Sequence, residues 1–236
     1  MARKVLLVCG ILSSVLYGAI LVLAPTQWKH YDSASQTVSE LFAIGAPSRP
    51  LVVPLLLAYD ALVIAFGLGV WQSAGRKRAL RVVGGLLIGY GVVGLAGPFS
   101  PIHLRKALAA GEGTLTDTMH GIITMVLVLL MLLAIGFGAA AFGMRIRLYS
   151  IATILMLVAG GVLTGLDQPR LTADLPTPWM GVWERINIGV FLLWVVVLAI
   201  ALLRARAELP KGVPNPRTSC INGQSGSSAK SPSPPV

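Results

Sequence analysis

Acidic residues are scarce in this chain. Nine Asp and Glu stand among 236 residues, against 19 Lys and Arg, and charged residues of both signs make up only 12% of the sequence. A soluble domain carries about twice that charged fraction, so a surface facing water on all sides is excluded. Cysteine is scarcer still. Cys9 falls in an apolar run and Cys220 near the C-terminus, positions that cannot staple an extracellular domain. A dedicated metal-ligand motif such as HExxH is also missing, and the glycines between 84 and 97 lie inside an apolar run rather than in a phosphate loop. The sequence therefore names no cofactor, leaves metal binding without a motif, and gives no soluble basic domain on which nucleic acid would sit.

What is abundant is hydrophobicity: 55% of the residues are apolar, and the mean hydropathy is +0.78. A helix needs about 20 apolar residues to cross roughly 30 Å of hydrocarbon. Six runs meet that length, at 5–24, 51–72, 82–100, 118–143, 148–166 and 186–203. Their hydrophobicity is continuous rather than alternating, which argues for helices and against barrel strands. The expected fold is all-α, a polytopic bundle of six transmembrane helices with short loops, forming one domain over 1–206. The first run follows "MARK" as a signal peptide would, but it is longer than a usual signal core and is read as a span. From 207 to 236 the chain is rich in Pro, Ser and Gly and reads as a disordered cytoplasmic tail.

Charge sets the orientation. Arg3, Lys4, Arg76, Lys77, Arg78, Arg81, Arg145, Arg147 and the basic residues after span six place 13 of the 19 Lys and Arg on one side, with Glu208 the one acid there. Lys29, Arg49, Arg105, Lys106, Arg170 and Arg185 fall on the other side with seven acids. The positive-inside rule then puts both termini in the cytoplasm.

Three stretches carry a resemblance. "TVSELFAIGAPSRPLVVPLLLAYDALVIAFGLGVW", "GLAGPFSP" followed by "DTMHG", and "WMGVWERINIGVFLLWVVVLAIALLR" occur in that order. Together they resemble the bacterial membrane proteins catalogued as domain of unknown function 998. The resemblance implies a six-helix protein of the bacterial inner membrane and implies no activity.

Chemically useful groups gather on the outer side. Asp117, His120 and Thr124 follow one another at three and four residues and share a helical face. Glu184 and Arg185 stand at the start of span six, and Ser39 and Glu40 lie in the first outer loop. A metal site would need three or four of these groups to converge. An acid–base site would use His120, oriented by Asp117, with Ser39 beside Glu40 as the available nucleophile. The plainest reading is that such residues cap, snorkel and pair at helix ends. Between these stands a polar cavity open outward, lined by Asp117, His120, Glu184, Arg185, Ser39 and Glu40. There Arg185 would pair with Asp117 or hold a lipid phosphate.

Asp60 is different, because it sits mid-span in "VVPLLLAYDALVIAFGLGVW". An ionised acid facing lipid there costs at least about 2.5 kcal/mol. It is expected to face the bundle in neutral form, hydrogen-bonded to Tyr90 or serving proton or ligand passage. An accessory or binding protein that engages lipid or a partner at the outer face fits these features best. A lipid-modifying enzyme and a small transporter are the alternatives. Membrane lipids and a small-molecule or lipid ligand at the outer face are the expected partners.

Overall fold

A computed structural model describes residues 1–205, and it contains helices and turns without a strand among them. In chain order the helices are α1 (Ala2–Leu23), α2 (Arg49–Ser73), α3 (Arg78–Gly94), the short α4 (Arg105–Ala109), α5 (Leu115–Ala141), α6 (Met144–Thr172) and α7 (Met180–Arg204). All but α4 are long and apolar enough to cross a membrane, which makes this a multi-pass membrane protein. The tail expected at 207–236, with Cys220, lies outside the described residues.

Several helices overrun their apolar runs. α6 continues through Asp167, Gln168 and Pro169 to Thr172, and α7 begins at Met180, six residues ahead of its run. Backbone hydrogen bonds need not stop where hydrocarbon ends, since polar side chains can hold a helix into the interfacial layer. α3 does the reverse, ending at Gly94, after which Gly97-Pro98-Phe99 forms a 3-10 turn. Proline without an N–H and glycine without a Cβ favour that break.

Packing is uneven. α2 and α3 approach backbone to backbone. A Cβ on Gly84 would lie 2.7 Å from the Trp71 nitrogen, and one on Gly91 would lie 2.8 Å from the Asp60 carbonyl oxygen. α1 meets α2 in the same manner, with Gly10 beneath the Phe66 ring and Gly69 against Leu6. Small residues give membrane helices this closeness, where no hydrophobic force drives association. From Ile188 to Leu203 α7 is apolar on every side, and it meets several helices. It meets α1 through the Ser14 hydroxyl donating to the Leu192 carbonyl at 3.1 Å and α3 through the Tyr90 and Phe191 rings, 5.2 Å apart. The Trp194 indole lies over Gly138 of α5 and donates to Ser150 Oγ of α6 at 3.1 Å. α7 therefore touches α1, α3, α5 and α6 alike.

Asp60 faces inward, 4% exposed, with its carboxyl against the Gly94 backbone of α3. The expected bond to Tyr90 is corrected: that hydroxyl pairs with the Tyr59 hydroxyl at 3.2 Å.

The bundle has two chemically distinct ends. At the basic end, Lys77 reaches across from the α2–α3 turn to the Ala141 carbonyl at 3.4 Å and lies over the Phe142 ring. The acidic end gathers the segments 24–48, 95–114 and 173–179, and they build the site.

Candidate functional site

The first loop at the acidic end is shaped by its own sequence. In Thr37-Val38-Ser39-Glu40 the Thr37 N–H donates to Glu40 Oε2 at 2.7 Å, and the Glu40 N–H donates to Thr37 Oγ1 at 3.2 Å. This reciprocal exchange is a capping box, and it starts the 3-10 turn Ser39–Phe42. The spacing T-x-x-E was the signal that could have revealed it.

Glu40 is 1% exposed, and a buried carboxylate requires a partner. Arg105, at the start of α4, supplies it. Its Nε donates to Glu40 Oε1 at 2.7 Å and its Nη2 to Oε2 at 2.8 Å, a two-pronged pair. The same guanidinium donates to the Ser35 carbonyl at 2.7 Å and to Thr177 Oγ1 at 2.6 Å. One arginine thus ties together all three segments of the acidic end. Nothing in the sequence links Arg105 to Glu40 across 65 residues, and neither Arg105 nor Thr177 stood among the candidates.

Arg185 is likewise committed. It donates from Nη1 to the carbonyls of Ser33, Gln36 and Gly181 at 2.7, 3.0 and 3.0 Å, and from Nη2 to the Tyr31 hydroxyl at 2.6 Å. Burial pushes the Tyr31 phenol up to about 12, with Arg185 opposing the rise, so the hydroxyl stays neutral. It donates to the Thr37 carbonyl at 2.7 Å. Gly181 makes this fit possible, because a Cβ there would strike the carbonyls of Gln36 and Ser33. On the rim, Asp32 accepts from the Ser35 hydroxyl and the Ala34 N–H, bonds that lower its carboxyl below the usual range.

Asp117 turns away from the rest. It closes a second capping box, accepting from the Thr114 N–H at 2.8 Å, and also takes the His103 N–H at 2.7 Å and faces His103 Nδ1 at 2.8 Å. The expectations that Asp117 orients His120 and pairs with Arg185 are therefore corrected; both partners are engaged elsewhere. The helix start explains this, since an acid at the third helical position is drawn to the free backbone N–H groups.

Three of the candidate residues do converge. His120, 9% exposed, presents Nε2 to Ser39 Oγ at 3.2 Å and Nδ1 to the Ser100 carbonyl at 3.0 Å. Glu184 approaches from α7: its Oε2 accepts the Val38 N–H at 2.6 Å, and its Oε1 lies 3.5 Å from Ser39 Oγ. Ser39 and Glu184 are half-buried, and Phe42 packs beside the imidazole. The row His120–Ser39–Glu184 spans α5, the first loop and α7. No cluster of three or more metal-ligating side chains occurs among the described residues.

With this geometry in place, comparison identifies the family. The chain belongs to the proteins of unknown function grouped as DUF998, whose family model matches residues 11–201. No curated protein matches it, and no solved structure does.

Proposed function

We propose that this protein engages membrane lipid at the outer leaflet through the row His120–Ser39–Glu184, with the acidic end facing outward and both termini in the cytoplasm. The observation that carries the reading is the depth of the row beside an apolar wall. α5 has 27 residues, about 40 Å at 1.5 Å per residue, and centred on a roughly 30 Å hydrocarbon core it would extend about 5 Å beyond at each end. His120 lies five residues in from Leu115, about 8 Å, just below that boundary. The next turns of α5 leave Ile122, Met125 and Leu129 exposed. An amphiphile matches this pattern, its polar linkage against the row and its chain along the helix.

Native mass spectrometry of the protein extracted from membranes tests this. Phospholipid should copurify with the parent, be lost from Ser39→Phe, and remain with Gly165→Phe, which adds bulk where a Cβ meets nothing within 4 Å. Equal retention by all three overturns the reading. For orientation, Gly113→Cys should react with impermeant maleimide on intact cells.

A second reading has its own support. Arg105 and Arg185 are each held by several internal partners, which makes the acidic end a stiff platform suited to a protein partner. An accessory role of that kind predicts a partner recovered by crosslinking at Gly113 and no specific lipid.

A further inference from the structure

The hydrogen bonds around His120 fix more than its position. The Ser100 carbonyl can only accept, so a neutral imidazole held against it carries its proton on Nδ1. Nε2 is then bare, and the group facing it at 3.2 Å is the Ser39 hydroxyl. Nucleophile, base and orienting acceptor stand in the order that activated serines require. A carbonyl sets the tautomer as a carboxylate would, but adds no charge. Glu184 also reaches the hydroxyl, its Oε1 accepting from Ser39 Oγ at 3.5 Å, and is anchored by the Val38 N–H. The pair lies at the depth where acyl chains join headgroups, and the linkage found there in phospholipids is a carboxylic ester.

We propose that Ser39 and His120 form an acyl-transfer site for lipid esters, with Ser39 as nucleophile and His120 as general base and acid. Ser39 Oγ attacks the ester carbonyl carbon while its proton passes to His120 Nε2. The bond from that carbon to the alcohol oxygen breaks, and the departing alcohol takes the proton from His120. The acyl group is left on Ser39 as an ester. Water then attacks the same carbon, gives a proton to His120, and releases a carboxylic acid as the proton returns to Ser39 Oγ. Glu184 is a positioning residue, holding the turn that presents Ser39. This rests on the lipid-engaging reading, since the ester must reach the row.

A fluorophosphonate probe applied to the full chain in phospholipid nanodiscs tests the chemistry apart from lipid retention. Covalent labelling that maps to Ser39 is expected, absent from Ser39→Ala and slowed at least about 100-fold in His120→Ala. Thermal melting confirms that each variant is folded, and peptide mapping of the parent alone decides if a variant is not. A folded, lipid-retaining parent that stays unlabelled overturns the acyl-transfer site and leaves lipid engagement standing. Labelling at another serine, or at an equal rate in His120→Ala, also overturns it. Labelling of Ser39 without lipid retention supports the Ser39–His120 pair as nucleophile and base and overturns lipid esters as its substrate.

Discussion

The α2–α3 pair and the α5–α6 pair are both helical hairpins turned at the basic end, yet they are held in opposite ways. α2 and α3 touch through glycines, and a side chain at Gly67, Gly84 or Gly91 would enter the neighbouring helix. α5 and α6 are longer, at 27 and 29 residues, but they carry exposed apolar residues over most of their acidic-end halves, from Met119 to Leu129 and from Leu155 to Leu166. Gly121, Gly136 and Gly165 meet nothing within 4 Å. The first hairpin is a fixed frame, and the second is a wall offered to lipid. The candidate row lies where they meet: Ser39 comes from the loop that leads into the frame, and His120 from the wall.

The largest effect is expected at the Glu40–Arg105 pair, which ties the acidic-end loops around this frame. Glu40→Ala leaves the Arg105 guanidinium buried beside an empty place, which costs about 3–5 kcal/mol for a broken buried pair. Loss of folded protein by detergent size exclusion is expected, and an unchanged melting temperature would show that the loops hold without the pair. Next comes Gly84→Val, which forces side-chain bulk into the Trp71 backbone and should cost about 1–3 kcal/mol by overpacking. The same change at Gly136 should leave melting unaltered, so equal losses at the two sites would erase the contrast.

A smaller effect concerns Asp60. Gly94→Ala drives a methyl into the Asp60 carboxyl and should lower stability, and Asp60→Ala should relieve that clash. Their double-mutant coupling is expected between about 0.5 and 3 kcal/mol; additive losses would mean that the carboxyl moves aside freely. Asp60→Asn, nearly the same shape, should melt within about 0.5 kcal/mol of the parent. The smallest expected change is a gain: Gly165→Ala in the wall should stabilise by about 0.5–1 kcal/mol through helix propensity, read as a modest rise in melting temperature.

The six spans were legible because an apolar run of 20 residues has one cheap conformation in hydrocarbon. Their ends were not, since hydropathy stops at the boundary while α6 runs on to Thr172. Small residues recur at four-residue spacing at Gly10, Ser14 and Gly18 and at Gly161 and Gly165, yet Gly10 packs under Phe66 while Gly18 and Gly165 face open space. Spacing marks a helical face without saying what lies opposite. The α2–α3 seam uses Gly84 and Gly91, seven residues apart, and of the four-residue pair Gly85 and Gly89 only Gly85 lies against α2, at the Trp71 ring. In the site, residue types pointed to Ser39, His120 and Glu184, and their side of the bundle followed from helix count. The partners of Asp117 and Arg185 did not, because local caps and backbone carbonyls compete with long-range charge pairing.

The central position of α7 also bears on how the protein is made. α7 leaves the ribosome after the other five spans, yet it supplies Glu184 to the Val38 N–H and Arg185 to the carbonyls of Ser33 and Gln36, about 150 residues upstream. Until it inserts, the first loop keeps those backbone groups open to water or to a chaperone. The row His120–Ser39–Glu184 is therefore completed only as the final span enters the membrane, and a chain stalled before residue 184 would carry the serine and the histidine but no finished site.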